Sequence, residues 1–213
     1  IIEEVIREYE DVEVRLQTGD VILFKGIYIN NRTGEKSVAA EWTHLGIVVR
    51  LPGSDEPLLW ESTPLETIPD RELRRPKKGP QLVSLRERLR TYETSVYALR
   101  YLRTARTPEM LQALYRFIYE VHGLPFPKDL QVIRKVIHAR LFSRWRARTS
   151  RFKNVFCSEL VAESYMRMGL LSPAPPSPAY MPVDFSSARR LPLLRGATLG
   201  NEILLHVKDW KPL

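Results

Sequence analysis

Cysteine is almost absent from this chain: its 213 residues carry one, Cys157. A single thiol cannot close an internal disulfide, and metal sites built on paired cysteines are excluded with it. Taken alone, a lone cysteine is more often a small buried hydrophobe than a nucleophile. Long apolar runs are missing as well. No stretch of about 18 or more apolar residues occurs, so no transmembrane helix is expected. No internal repeat and no second-domain boundary is visible. Negative charge is in deficit, with 33 Lys and Arg against 25 Asp and Glu and a net charge of +8. That balance suits a polyanionic surrounding such as a membrane surface, a cell-wall polymer or nucleic acid. It equally suits a soluble protein from an arginine-rich proteome. Nucleic acid is the least supported partner, because only net charge speaks for it.

What is present is ordinary for a water-soluble globular protein: 44% hydrophobic and 27% charged residues. The length suffices for one domain with a real core, so residues 1–213 are read as a single domain with a variable middle region at 64–150. The compartment stays open between cytoplasm, periplasm and a membrane-peripheral site.

Residues 1–16 space Ile2, Val5, Ile6 and Tyr9 as a short N-terminal helix would. Thr18-Gly19-Asp20 signals a turn, and Val21-Ile22-Leu23-Phe24 reads as a buried strand. Residues 25–41 are polar and read as a loop. His44 to Val49 and Pro57 to Ser62 read as the next two strands, in an antiparallel meander with the first. Residues 64–80 hold Pro64, Pro69, Pro76 and Pro80 and read as a surface excursion. Val83 to Leu89 starts a short helix. Ser95 to Leu102 is a further strand, with Val96 and Ala98 on one face and Tyr97, Leu99 and Tyr101 on the other. Pro108 suits the first turn of a helix that runs to about His122. Between 128 and 151, Leu130, Ile133, Ile137, Leu141 and Trp145 recur at helical spacing among many arginines, a basic amphipathic stretch. Its arginine face could hold anionic lipid or polymer while its apolar face meets acyl chains; a solvated helix packed on the core is the plainer alternative. A helix then starts at Cys157 and ends near Gly169. Prolines 173–178 form a linker, and Asn201 to Val207 reads as a closing strand.

Cys157 therefore stands at a helix start, where Asn154 could act as a cap. The positive end of the helix dipole and the unpaired backbone donors there favour a thiolate and lower the thiol's pKa. The same donors can stabilise the oxyanion of an acyl-transfer intermediate. Such a thiolate needs a group that takes and returns a proton near neutral pH, which is work for histidine. Four histidines are available. His122 sits at a helix end and reads as a C-terminal cap. His138 lies in the basic helix and His206 in the last strand. His44 opens a strand, where a base would project from a rigid element into a cleft, and it ranks first. A base wants an orienting group on its other nitrogen. Glu61, at the end of the next apolar strand, is costly to bury unless paired. Pairing with His44 would satisfy it; an exposed strand-end Glu is the alternative. Asp20 reads as a turn cap, and Glu159 as a first-turn carboxylate that suits the dipole.

Leu16-Gln17-Thr18-Gly19-Asp20-Val21-Ile22-Leu23-Phe24 resembles the Gly-Asp strand of NlpC/P60 enzymes, and Thr43-His44-Leu45-Gly46-Ile47-Val48-Val49 resembles their histidine strand. Leu58-Leu59-Trp60-Glu61-Ser62 falls where those enzymes place the third polar residue. In ordinary members the cysteine helix precedes these strands. Here Phe156-Cys157-Ser158-Glu159-Leu160 follows them, which is similar to the permuted branch of YiiX/YebB-like and lecithin:retinol-acyltransferase-like proteins. With Tyr180-Met181-Pro182-Val183-Asp184-Phe185 beyond it, the pattern is most similar to the YiiX-like permuted amidases. The likeness covers residues 16–62 and 154–186. It implies an α+β, circularly permuted papain-like fold: an antiparallel sheet or barrel with the nucleophile helix packed on it. It implies a Cys157–His44–Glu61 triad that cleaves amide or ester bonds through a thioester, with no metal and no cofactor. Small-molecule, peptide or lipid amides are the implied substrates, cell-wall peptides and lipid-linked amides or esters among them. A lipid acyltransferase and an inactive binding module of the same fold are the alternatives.

Overall fold

The run Val21-Ile22-Leu23-Phe24 has an apolar residue at every position, a pattern that only a strand covered on both faces can bury. A computed structural model describes residues 5–29, 32–33, 36–92, 96–123 and 156–207 and has that run at the centre of a sheet. In chain order the elements are β1 (Ile6–Glu8), α1 (Tyr9–Glu13), β2 (Val21–Lys25), β3 (Ile27–Ile29), β4 (Lys36–Val38), β5 (His44–Val49), β6 (Leu58–Thr63) and β7 (Gly79–Ser84). They continue with α2 (Leu85–Thr91), β8 (Val96–Arg100), β9 (Leu102–Arg103), α3 (Pro108–His122), α4 (Cys157–Arg167), β10 (Thr198–Leu199) and β11 (Ile203–His206). Two short 3-10 turns, Ser177–Ala179 and Pro182–Phe185, lie between α4 and β10.

Seven strands form one sheet in the order β1-β11-β8-β2-β5-β6-β7. Every neighbouring pair is antiparallel except β1 with β11. The class is α+β as expected, but among the described residues the sheet is open: β1 and β7 are its two edges, and the barrel alternative does not hold. The strand alternation sorts side chains into two cores. Val21, Leu23, Leu45, Ile47, Leu58, Trp60 and Ala98 face α3 and α4. Ile22, Phe24, Val48, Leu59, Val83, Tyr97 and Leu99 face Tyr9 and Val12 of α1 and Leu85 and Leu89 of α2.

Local signals account for the helices. Thr107 caps α3 by accepting from the Met110 amide, Pro108 opens it, and Gly123 ends it in the left-handed region at φ 69°. Among the described residues no helix is long and apolar enough to cross a membrane.

Four sequence expectations change, among them the helix start expected at Val83, which falls at Leu85 because Val83 and Ser84 end β7. The helix expected over 1–16 is the short α1 preceded by a strand, because Ile6 to Glu8 pair with Leu204 to His206. The loop expected at 25–41 carries the β3–β4 hairpin. The proline-rich excursion ends earlier than expected, since Gly79–Ser84 is a strand in which Pro80 lies across from Ser62. It is an edge strand, where a missing amide is tolerated. The basic stretch 128–151, with His138, and Asn154 lie outside the described residues.

Register sets up the site. Gly46 sits directly across from Glu61, and Phe24 across from His44. Directly opposed residues share a face, and so do residues two apart on one strand. His44, Gly46 and Glu61 therefore share the α2 face, with Glu61 on the diagonal from His44. Gly46 leaves that diagonal open. A Cβ there would lie 2.7 Å from Leu59 Cδ1 and 2.9 Å from the Trp60 carbonyl oxygen. Gly46→Val is expected to cost about 1–3 kcal/mol through this overpacking. Thermal unfolding checks it; an unchanged midpoint would mean that β5 and β6 separate without strain.

Candidate active site

His44 is the first residue of β5 and is 9% exposed. Its ring is clasped by Phe24 at 5.1 Å and by Tyr92, which stacks on it at 5.7 Å and 13°. His44 Nε2 lies 2.5 Å from Glu61 Oε2. Glu61 is fully buried, and its other oxygen accepts from Arg88 Nε. Arg88, also fully buried, donates onward to Thr67 Oγ1 at 3.1 Å and Gln81 Oε1 at 3.0 Å. Gln81 in turn donates to the Leu65 and Lys77 carbonyls.

Cys157 reaches His44 from the other side. It is the first residue of α4, which packs on β5 and β6. The helix N-cap is Phe156, whose side chain makes no cap hydrogen bond. The thiol hydrogen-bonds to the His44 side chain and to the backbone N–H groups of Leu45 and Ser158. With Nε2 turned to Glu61, Nδ1 is the ring nitrogen left for the thiol.

The electrostatics follow. Burial pushes the Cys157 thiol up, but the hydrogen bond and charge of His44, with the two amides, outweigh it and hold the thiol below its ordinary value. Burial pushes His44 down, but its hydrogen bonds to Cys157 and Glu61 and the charge of Glu61 hold it well above the usual imidazole range. The two shifts oppose each other in the sense that favours a thiolate–imidazolium pair.

A cleft of about 550 Å³ opens onto the pair, lined among others by Thr43, Ser62, Pro64, Lys78, Tyr92 and Phe156. Phe156 is 80% exposed beside the sulfur. The first intrahelical bond of α4 runs from the Leu160 amide to the Phe156 carbonyl. The Cys157 amide therefore has no partner within the helix, as is usual for the first N–H groups of a helix.

The other sequence candidates lie elsewhere. The His122 side chain is enclosed between the Asp70 carboxylate, 2.8 Å from Nε2, and the Ile118 carbonyl, 2.8 Å from Nδ1, so it ties the end of α3 to the 64–78 excursion. His206 is exposed and pairs with Glu8 at 3.0 Å. Asp20 accepts from the Gln17 and Leu102 amides and from Arg106, which fits the turn role; burial pushes its carboxyl up to about 6. Glu159 sits in the first turn of α4.

Arg88, Gln81 and Tyr92 were not foreseen from sequence. Arg88 had a signal: Leu85, Arg88 and Leu89 follow i, i+3, i+4 spacing, which puts the arginine on the helix's buried stripe. A charge on such a stripe announces a buried partner. No family model matches the chain, and no curated protein matches it, so the site speaks through its own geometry.

Proposed function

We propose that the chain is a cysteine-nucleophile hydrolase that cleaves amide or ester bonds through a thioester, on a circularly permuted papain-like fold of the NlpC/P60 kind. One observation carries the proposal: a thiol at a helix start faces a buried histidine whose other nitrogen is held by a buried carboxylate. The chain order, histidine strand, glutamate strand and then cysteine helix, supports the permuted arrangement.

The chemistry runs as a proton-balanced exchange. The Cys157 thiolate adds to the carbonyl carbon, and the negative charge moves to the carbonyl oxygen beside the Cys157 amide. The oxyanion collapses, the bond to the leaving nitrogen or oxygen breaks, and the imidazolium proton of His44 passes to that atom. Neutral His44 then takes a proton from water as its oxygen attacks the thioester, and the thiolate is released. Glu61 fixes the ring and offsets its positive charge throughout.

The substrate class is a small-molecule, peptide or lipid amide or ester. The exposed Phe156 ring, with Pro64 and Tyr92 in the same cleft, favours an apolar acyl group next to the sulfur. The same thioester handed to a hydroxyl or amine instead of water would make the protein an acyltransferase, the second reading that this apolar wall supports.

Incubation with a panel of activated acyl esters and amides, followed by intact mass and peptide mapping, tests the scheme. The expected product is a transient acyl adduct on the Cys157 peptide, absent in Cys157→Ala. Failure of the whole panel to acylate Cys157 would leave a binding module of the same fold as the better description.

A further inference from the structure

The buried charges at the site do not stop at Glu61. In order they are the Cys157 sulfur, the His44 ring, the Glu61 carboxylate and the Arg88 guanidinium. Their signs alternate when the thiolate–imidazolium pair forms. Arg88 has no solvent exposure, and no substrate atom in the cleft could reach it. A buried guanidinium is expensive unless its donors are met by acceptors in good geometry. Here Nε, one terminal nitrogen and the other terminal nitrogen go to Glu61, Thr67 and Gln81 in turn. Three anchors from three stretches of chain fix the plane of the group. The guanidinium also lies 5.7 Å from the centre of the Tyr92 ring, the ring that stacks on His44.

We infer that Arg88 is a positioning residue of the reaction: it holds the Glu61 carboxylate against His44 Nε2 and contributes the positive charge that keeps the distant sulfur a thiolate. This inference rests on the reading of Cys157 as a thiolate nucleophile. The physical case is the geometry of one carboxylate with two oxygens. One oxygen is taken by the histidine and the other by the arginine, so the carboxylate cannot rotate away from either. If Arg88 loses its charge, the sulfur loses a cation from its low-dielectric surroundings, and the thiol's pKa rises. If the Glu61 carboxylate then turns away from Nε2, His44 loses its anionic partner, and the thiol rises again. Among the described residues, the other titratable groups facing the pair are Tyr92, just beyond α2, and Lys78 at the cleft rim; Tyr92 loses the guanidinium above its ring in either Arg88 variant, and Lys78 is untouched.

The test is the pH dependence of Cys157 alkylation by iodoacetamide in the wild-type chain, Arg88→Gln and Arg88→Lys, with circular dichroism to confirm folding. Wild type is expected to show its inflection below the ordinary thiol value. Arg88→Gln is expected to move the inflection upward by about one pH unit, which slows labelling at mildly acidic pH about tenfold. Arg88→Lys keeps a cation without the three-way fork, and a smaller upward shift is expected. A purely structural arginine would lower the unfolding temperature of both variants and leave the inflection where it is. If Arg88→Gln does not fold, Arg88→Lys still decides. A folded variant of either kind with a wild-type inflection overturns the inference. A wild-type inflection at the ordinary thiol value would instead remove the thiolate reading itself, so the two failures are told apart.

Discussion

A Glu61→Leu variant is expected to lose about 3–5 kcal/mol of stability, because it leaves the Arg88 guanidinium buried with no counter-charge. For a chain of this length that is a fall of roughly 6–20 °C in unfolding midpoint. The size of the effect comes from the orphaned partner rather than from the lost bond. Glu61 and Arg88 are both fully buried, so water cannot replace what the substitution removes. The double variant Glu61→Leu/Arg88→Met removes both charges. It is expected to recover most of the loss, since well-packed apolar groups often replace a buried ion pair at little cost. Thermal melts of wild type, single and double variants measure this. A double variant as unstable as the single one would mean that the ion pair itself holds the sheet together. Recovery of stability without recovery of activity would mean that the pair is kept for its chemistry.

His44→Gln is the second change with a large expected effect. Gln fills similar space against Phe24 and Tyr92, so the fold is expected to persist. It can neither accept the thiol proton nor deliver one to a leaving group. Turnover is expected to fall by about a hundred- to ten-thousand-fold, the range usual for removal of a general acid–base group. The pH dependence carries the sign. In wild type, activity rises as pH climbs through the depressed pKa of Cys157 and falls where His44, held above its usual range, loses its proton. Between those limits the ion pair is intact. In His44→Gln the upper limb should vanish and the lower limb should move up toward the ordinary thiol value of about 8.5.

The parts of the fold that were legible in the sequence are those whose causes are local. The strand His44–Val49 and the helix Pro108–His122 follow from apolar runs, a Thr-Pro start and a glycine stop. The parts that were not legible depend on partners far away in the chain. Ile6–Glu8 becomes a strand because β11, some two hundred residues later, lies beside it. Gly79–Ser84 hides among prolines because an edge strand tolerates Pro80. The site divides the same way. Cys157, His44 and Glu61 stand out by type and order, and they come together in space. Arg88 does not stand out, because arginines are common in this chain. Only its place on the stripe with Leu85 and Leu89 marks it, and sequence cannot say which buried acid it meets.

Whether His44 makes Cys157 a thiolate is decided by alkylating Cys157 across about pH 4 to 10 in wild type and His44→Gln. Wild type is expected to show an inflection well below about 8.5, and His44→Gln to return it to that value. An ordinary inflection in both proteins would mean that His44 does not ionise the thiol.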